Sequence, residues 1–236
     1  MLTVLVFIAC VVGGYLIGSL CSAVIVCRMF ALPDPCAEGS KNPGATNVLR
    51  IAGKRYASIV LIADMLKGFI PVFIASMIGA GVITASFTCL AAVLGHIYPI
   101  FFKFKGGKGL ATTLGALFGL HFMFGVLALA TWLLVANFTR FSSLASIITV
   151  LFVPFYSLYF TQGPNAFIPL IIITFVVLYK HRGNINRLME GVEPKIVLRK
   201  PARAEQERKA AAEKKPVETL SDIVAEDTQS EEKNPD

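Results

Sequence analysis

The sequence predicts an all-α, polytopic integral membrane protein, on three observations. The first is composition: 236 residues, 55% hydrophobic and 16% charged, with a mean hydropathy of +0.68, a balance foreign to most soluble enzymes. The second is a series of long apolar runs divided by short polar loops. The third is the placement of charge. Before Lys180 the carboxylates are Asp34, Glu38 and Asp64 alone, against ten Lys or Arg. A membrane region this cationic for its charge content is suited to anionic ligands.

Taken in order, the first run, MLTVLVFIACVVGGYLIGSLCSAVIVC, lacks a basic leader and is too long for a cleaved signal, so it reads as a retained transmembrane helix. Its Gly13, Gly14 and Gly18 suit close helix packing. Further runs follow at 57–81, 82–102, 110–137, 143–160 and 166–179. The run from 110 carries Gly115, Gly119, His121 and Gly125, which fits either two shorter helices or one broken helix. The last run is short for a full crossing. Five cysteines, an odd number with no C-x-x-C pair, indicate neither a disulfide framework nor a zinc site.

Basic residues cluster after the first run (Arg28, Lys41, Arg50, Lys54, Arg55), after the third (Lys103, Lys105, Lys108) and after the last (from Lys180 to Lys200). The positive-inside rule puts all three clusters on the cytoplasmic side and the N-terminus on the periplasmic side, with the C-terminus cytoplasmic. That parity requires an odd number of crossings, and of five or seven the expectation is seven transmembrane helices, some of them short. Residues 1–195 form the membrane domain. Residues 196–236 are expected to be a charged, disordered cytoplasmic tail: 180–209 holds nine basic against four acidic residues, and 210–236 three against eight.

Three polar clusters carry the chemistry. GSKNPGATNVLR (39–50) is one residue short of a P-loop, with Ala45 where the lysine would stand. It offers Ser40, Asn42, Thr46 and Asn47 as neutral donors, Lys41 and Arg50 as cations, and Gly39, Pro43 and Gly44 as turn formers. Such a turn can converge N–H groups on an anion while Arg50 grips a phosphate, or it can be an ordinary solvated loop.

GHIYPIFFKFKGGKGLATTLG (95–115) sets three lysines around a Gly-Gly pair that runs directly into helix, the composition of an anion-binding turn. It also serves as a topology signal, although glycines add nothing to topology. YKHRGNINRLMEGVEPK (179–195) offers His181, Arg182, Asn184, Arg187 and Glu193, or is a basic juxtamembrane segment. Asp64 and Lys67, three apart, fit mutual neutralisation within the membrane better than catalysis. His96 either orients the second cluster or packs.

The membrane region has no pair of carboxylates for hydrolysis or two-metal chemistry, no D-G-x-x-A-R run and no H-x-x-x-x-D acyltransferase signature. The three clusters, in this order, resemble those of the bacterial acyl-phosphate:glycerol-3-phosphate acyltransferases, the PlsY family. The resemblance covers residues 1–195 and excludes the tail. Mild departures are Lys41 where glycine is usual and Leu110 where valine is.

The resemblance implies transfer of a fatty acyl group from acyl phosphate to the 1-hydroxyl of glycerol 3-phosphate, giving lysophosphatidic acid in phospholipid biosynthesis, with no cofactor and no metal. It places Ser40, Asn42, Thr46 and Arg50 on the first motif, Lys105, Gly106, Gly107, Lys108 and Gly109 on the second, and His181 and Asn184 on the third. His181, Lys105 and Lys108 are the expected catalytic residues and the others the substrate-binding ones. The hydroxyl proton is taken by His181 or by the acyl phosphate's own oxygens. The implied partners are both substrates, membrane lipid and the enzyme that makes the acyl phosphate, with no nucleic acid. The implied location is the bacterial inner membrane, multi-pass, with the active site facing the cytoplasm. A transporter for a phosphorylated metabolite is the rival reading, since it too would want cationic loops and broken helices.

Overall fold

A computed structural model describes residues 1–161 and 164–196; Met1–Lys195 form one compact unit. The expected tail, 196–236, lies outside the described residues except for Ile196. Every regular element among the described residues is helical: α1 Leu2–Gly18, α2 Ser22–Met29, α3 Ala45–Ile51, α4 Lys54–Met77, α5 Gly81–Ile97, α6 Leu110–Leu120, α7 Phe122–Thr139, α8 Ser142–Phe160, α9 Phe167–Lys180 and α10 Arg182–Met189. Two 3₁₀ turns complete the set, Ile100–Phe102 after α5 and Pro164–Ala166 leading into α9.

Four of these helices are long and apolar enough to cross a membrane, α5 counting with its 3₁₀ turn. The number rises to six if each of two bent pairs is one span, α1 with α2 (41°) and Pro164–Lys180 with α10 (59°). The run at 110–137 resolves into two helices. His121 takes extended backbone angles (φ −162°, ψ 126°) between α6 and α7, so the i→i−4 ladder stops there.

Small residues set the helix spacing. A methyl group on Gly18 of α1 would collide with the carbonyl of Ala92 in α5, and one on Gly95 of α5 with the carbonyl of Tyr15 in α1. The same reciprocity joins α4 and α6, where Gly68 lies against the carbonyl of Thr112 and Gly115 against that of Met65. Backbones this close gain dispersion contacts along their length, the main attraction between helices in lipid. Alanine at any of the four positions would overpack a seam and cost about 1–3 kcal/mol.

α6 is only 11 residues, about 16 Å long against a hydrocarbon core of about 30 Å. Its brevity has a visible cause. Gly115 packs at Met65 and Gly68 at Thr112, so α6 begins beside the middle of α4 rather than beside its start at Lys54. The lysine-glycine loop before α6 therefore dips into the bundle. Most of α6 is buried, Thr112 to Leu117 without a break, so its backbone lies against protein rather than lipid.

Candidate active site

The first loop is built around Asn47. Its amide oxygen accepts the Ser40 N–H at 2.8 Å, and its amide nitrogen donates to the carbonyls of Pro35 (2.9 Å) and Glu38 (3.0 Å). Expected among the ligand donors, Asn47 instead spends its side chain on the loop and is buried. Gly39 holds φ +63° with no room for a Cβ against that amide. Lys41, where glycine is usual in the resembled motif, keeps a glycine-like φ of +56°. Ser40, Thr46 and Arg50 are left exposed, and the last two share one face of α3 at i,i+4 spacing.

The second loop leaves α5 through Pro99 and the 3₁₀ turn, then passes Lys103 and Phe104, both left-handed (φ 52° and 58°). Gly106 lies against the carbonyl of His96 and the ring of Pro99, and the Gly107 N–H donates to the His96 carbonyl at 3.2 Å. Gly109, at φ +96°, starts α6. A Cβ on Gly107 would also stand 3.2 Å from the Pro43 carbonyl, so the first and second loops adjoin.

The third cluster completes the arrangement from the far end of the chain. Lys108 Nζ donates to Asn184 Oδ1 at 2.5 Å, Asn184 Nδ2 donates to Glu193 Oε1 at 2.6 Å, and Arg187 Nε donates to Glu193 Oε2 at 2.7 Å. Only one orientation of the Asn184 amide serves both neighbours, because lysine only donates and carboxylate only accepts. His181, buried between α9 and α10, sets Nδ1 2.8 Å from the Val177 carbonyl. A carbonyl only accepts, so Nδ1 carries the proton and Nε2 keeps its lone pair.

The electrostatics show the clusters acting on one another. Burial brings the Lys108 pKa down to about 8; Glu193 opposes the shift, while Arg187, Arg50 and Lys180 add to it. Arg50 of the first cluster thus lies within the field of the second. Burial likewise lowers His181 to about 4, against the pull of the Val177 carbonyl and helped by Lys108, so the imidazole is neutral near pH 7. For Glu193 burial acts upward, but hydrogen bonds including those from Asn184 and Arg187 outweigh it and lower the pKa.

Three loops from distant parts of the chain, all cationic, meet at one place. Residues 8–191 match the model of the glycerol-3-phosphate acyltransferase family. This chain belongs to that family. It is 60% identical over 190 residues to the glycerol-3-phosphate acyltransferase of Legionella pneumophila (strain Corby), covering 80% of this chain and 69% of that one. It is 50% identical over 183 residues to that of Francisella tularensis subsp. mediasiatica (strain FSC147), covering 78% and 89%. Two crystal structures of PlsY (YgiH), an integral membrane glycerol 3-phosphate acyltransferase, superpose on it at 37% identity. The glycerol 3-phosphate form gives a TM-score of 0.76 and the lysophosphatidic acid form 0.74; each covers 81% of this chain, and 96% and 95% of the respective PlsY chain.

In this glycerol-3-phosphate acyltransferase family member, the residues expected from sequence divide by their surroundings. Lys108, Asn184 and His181 are drawn into the interior, Gly106, Gly107 and Gly109 shape the loop beside them, and Ser40, Thr46, Arg50 and Lys105 stand exposed at its edges, with Asn42 partly buried. The sequence names Glu193 in the third cluster but gives it no role. Its role depends on the chain turning back after α10, where the Val192 and Glu193 N–H groups bond the Arg187 carbonyl. The buried contact of Asp64 with His96 was equally out of reach, since the two lie on different helices.

Proposed function

We propose that this family member transfers a fatty acyl group from acyl phosphate to the 1-hydroxyl of glycerol 3-phosphate, giving lysophosphatidic acid and inorganic phosphate. The carrying observation is the Lys108–Asn184 hydrogen bond, with Arg50 close enough to depress the lysine further. It gathers the cations needed to hold two phosphorylated substrates whose charges repel.

In the step itself, the C1 hydroxyl oxygen bonds to the acyl carbon and the bond from that carbon to the phosphate oxygen breaks. Phosphate is already a good leaving group, so no acyl-enzyme is required. Lys105, Lys108 and Arg50 offset the substrate charge, Ser40, Asn42 and Thr46 donate to phosphate oxygens, and N–H groups of the Gly106–Gly109 turn stabilise the oxyanion. His181 Nε2 accepts the hydroxyl's hydrogen bond and orients it. With a pKa of about 4, His181 is a weaker base than a phosphate oxygen, whose second pKa is about 6, so the proton ends on the departing phosphate.

For topology, we take α1, α4, α5, α6, α7, α8 and α9 as seven crossings, with α6 the short one. Support comes from the α7–α8 turn, where Lys195 lies 5.5 Å from the ring of Phe141, placing that turn beside the third cluster. α6 and α7 then form a hairpin that leaves the site end and returns to it. The N-terminus is periplasmic and all three clusters face the cytoplasm of a bacterial inner membrane, where the acyl chain stays in lipid and the enzyme that makes the acyl phosphate can deliver it. A transporter is the less favoured reading, because the relatives are named acyltransferases and the buried Asp64 and Lys67 pair with each other at 2.8 Å.

The test is to mix purified, lipid-reconstituted protein with palmitoyl phosphate and labelled glycerol 3-phosphate, without CoA or acyl carrier protein. Labelled lysophosphatidic acid is the expected product. Formation with acyl-CoA alone would overturn the donor, and flux across vesicles without product would restore the transporter.

A further inference from the structure

Asp64, Lys67 and His96 are buried together and lie outside the chemistry described above. Their side chains are 3%, 5% and 6% exposed. The Asp64 carboxylate meets Lys67 Nζ at 2.8 Å and His96 Nδ1 at 3.5 Å through the same oxygen, Oδ1. Lys67 Nζ also donates to the Leu20 carbonyl at 2.6 Å, in the break between α1 and α2. Burying three such groups costs several kcal/mol in desolvation, and apolar side chains would pack as well. Charge neutralisation explains the lysine beside the carboxylate. It does not explain the histidine.

The far side of His96 shows what the cluster touches. Its carbonyl accepts the Gly107 N–H, Gly106 rests on that carbonyl, and Gly107 lies directly against Nε2 of the ring. Nδ1 faces the carboxylate at 3.5 Å, an ion-pair distance at which neither atom has a hydrogen-bond partner, so a proton on Nδ1 is the form that the carboxylate's charge favours. The buried carboxylate thereby orients the ring against which the Gly106–Gly107 turn lies. The other end of the cluster, through Lys67, ties down the α1–α2 break that leads into the first loop. The second loop thus rests on this buried charge cluster through His96, at the depth where that loop dips into the bundle, and the α1–α2 break is held to the same cluster through Lys67.

We propose that Asp64, Lys67 and His96 form a positioning cluster for acyl transfer, in which Asp64 fixes the His96 ring and the ring fixes the Gly106–Gly107 turn that presents Lys105 and Lys108. None of the three touches substrate. The proposal rests on the acyltransferase reading above.

The experiment compares wild type with His96→Leu and His96→Asn in lipid, each first checked for a single size-exclusion peak and its melting temperature. Asparagine sets an N–H near the place of Nδ1, facing Asp64, whereas leucine fills the volume without a donor. At matched melting temperature, His96→Leu is expected to lose about 10²-fold in kcat with little change in KM, and His96→Asn to regain most of it, because a displaced turn misaligns the reacting groups. Wild-type kcat in His96→Leu overturns the proposal. So does a loss shared by both variants that tracks a common fall in melting temperature. Should wild type acylate glycerol 3-phosphate only from acyl-CoA, the donor assignment fails separately, and the cluster is judged by the same kcat comparison of the three proteins with that donor.

Discussion

Lys108 and Asn184 stand 76 residues apart in the chain and meet at 2.5 Å, joining the loop before α6 to the helix that follows the last membrane segment. The bond orients the lysine before any substrate arrives. It also carries Glu193 into the site, because the Asn184 amide that accepts from Lys108 donates to Glu193 at 2.6 Å. A cation fixed in this way acts on a developing charge with little reorganisation.

Replacing Lys108 with alanine removes that cation and one partner of Asn184. Loss of a positioned charge-stabilising donor of this kind is expected to lower kcat by about 10²–10³-fold. The measurement is steady-state lysophosphatidic acid formation from palmitoyl phosphate and glycerol 3-phosphate. Activity within a few-fold of wild type would remove Lys108 from the machinery.

The pKa of about 8 at Lys108 gives a pH dependence of definite sign. Below pH 8 the ammonium is charged and, in the proposed mechanism, holds phosphate; as pH rises through 8 the free protein loses that charge. The KM for the phosphorylated substrate is therefore expected to climb above pH 8, approaching tenfold per unit. In Lys108→Arg that limb should vanish, because guanidinium stays protonated, although the changed geometry lowers activity throughout. A KM flat to pH 10 in wild type would contradict the depressed pKa.

Glu193 holds Asn184 and Arg187 through its two oxygens, with its side chain 5% exposed. In Glu193→Ala both donors lose their acceptor, and leaving such groups unpaired costs about 1–3 kcal/mol. The expected result is a lower melting temperature together with a fall in activity of tenfold or more, partly recovered in Glu193→Gln, which still offers one acceptor oxygen. Melting curves and kcat of the two variants check this. Equal damage in both would point to charge rather than hydrogen bonding.

The sequence made some features legible and hid others for physical reasons. Apolar runs mark where backbone must satisfy itself, so α4, α5, α8 and α9 fall close to the expected runs. The break at 121 was open from sequence because Gly115, Gly119 and Gly125 fit a broken helix as well as two short ones. The three polar clusters stand out in the sequence because lysine and arginine are costly in a membrane helix, but which of their side chains meet is set by the fold. The depth of the second loop was hidden, since it follows from where Gly68 meets Thr112. Asn47 shows the limit of composition: its type suits a ligand donor and a loop organiser alike, and only the partners Ser40, Pro35 and Glu38 decide.

Lys41 carries a left-handed backbone that a side chain disfavours by about 1–2 kcal/mol. Lys41→Gly is expected to relieve that strain, offset by glycine's greater freedom when unfolded, and to leave the protein equally or slightly more stable. Activity separates the two uses of the residue. Unchanged KM for glycerol 3-phosphate would mean that Lys41 only makes the turn, and a KM raised several-fold would mean that its charge also attracts substrate.

Gly107 and His96 provide the sharpest packing test. A methyl group at Gly107 would collide with Nε2 of the His96 ring and come within 2.8 Å of Cε1, and the ring cannot retreat because Asp64 stands behind it. Gly107→Ala is therefore expected to push the turn away and lower kcat by about 10²-fold. His96→Ala opens the space the methyl needs while losing the ring that supports the turn, so it is impaired by a different route. If the collision is the cause, Gly107→Ala adds nothing further once the ring is gone, and the double variant matches His96→Ala. Multiplied losses in the double variant would instead show that Gly107 is needed for its N–H geometry at the reacting centre, independent of His96. The double-mutant cycle on kcat, at matched melting temperature, decides between the two.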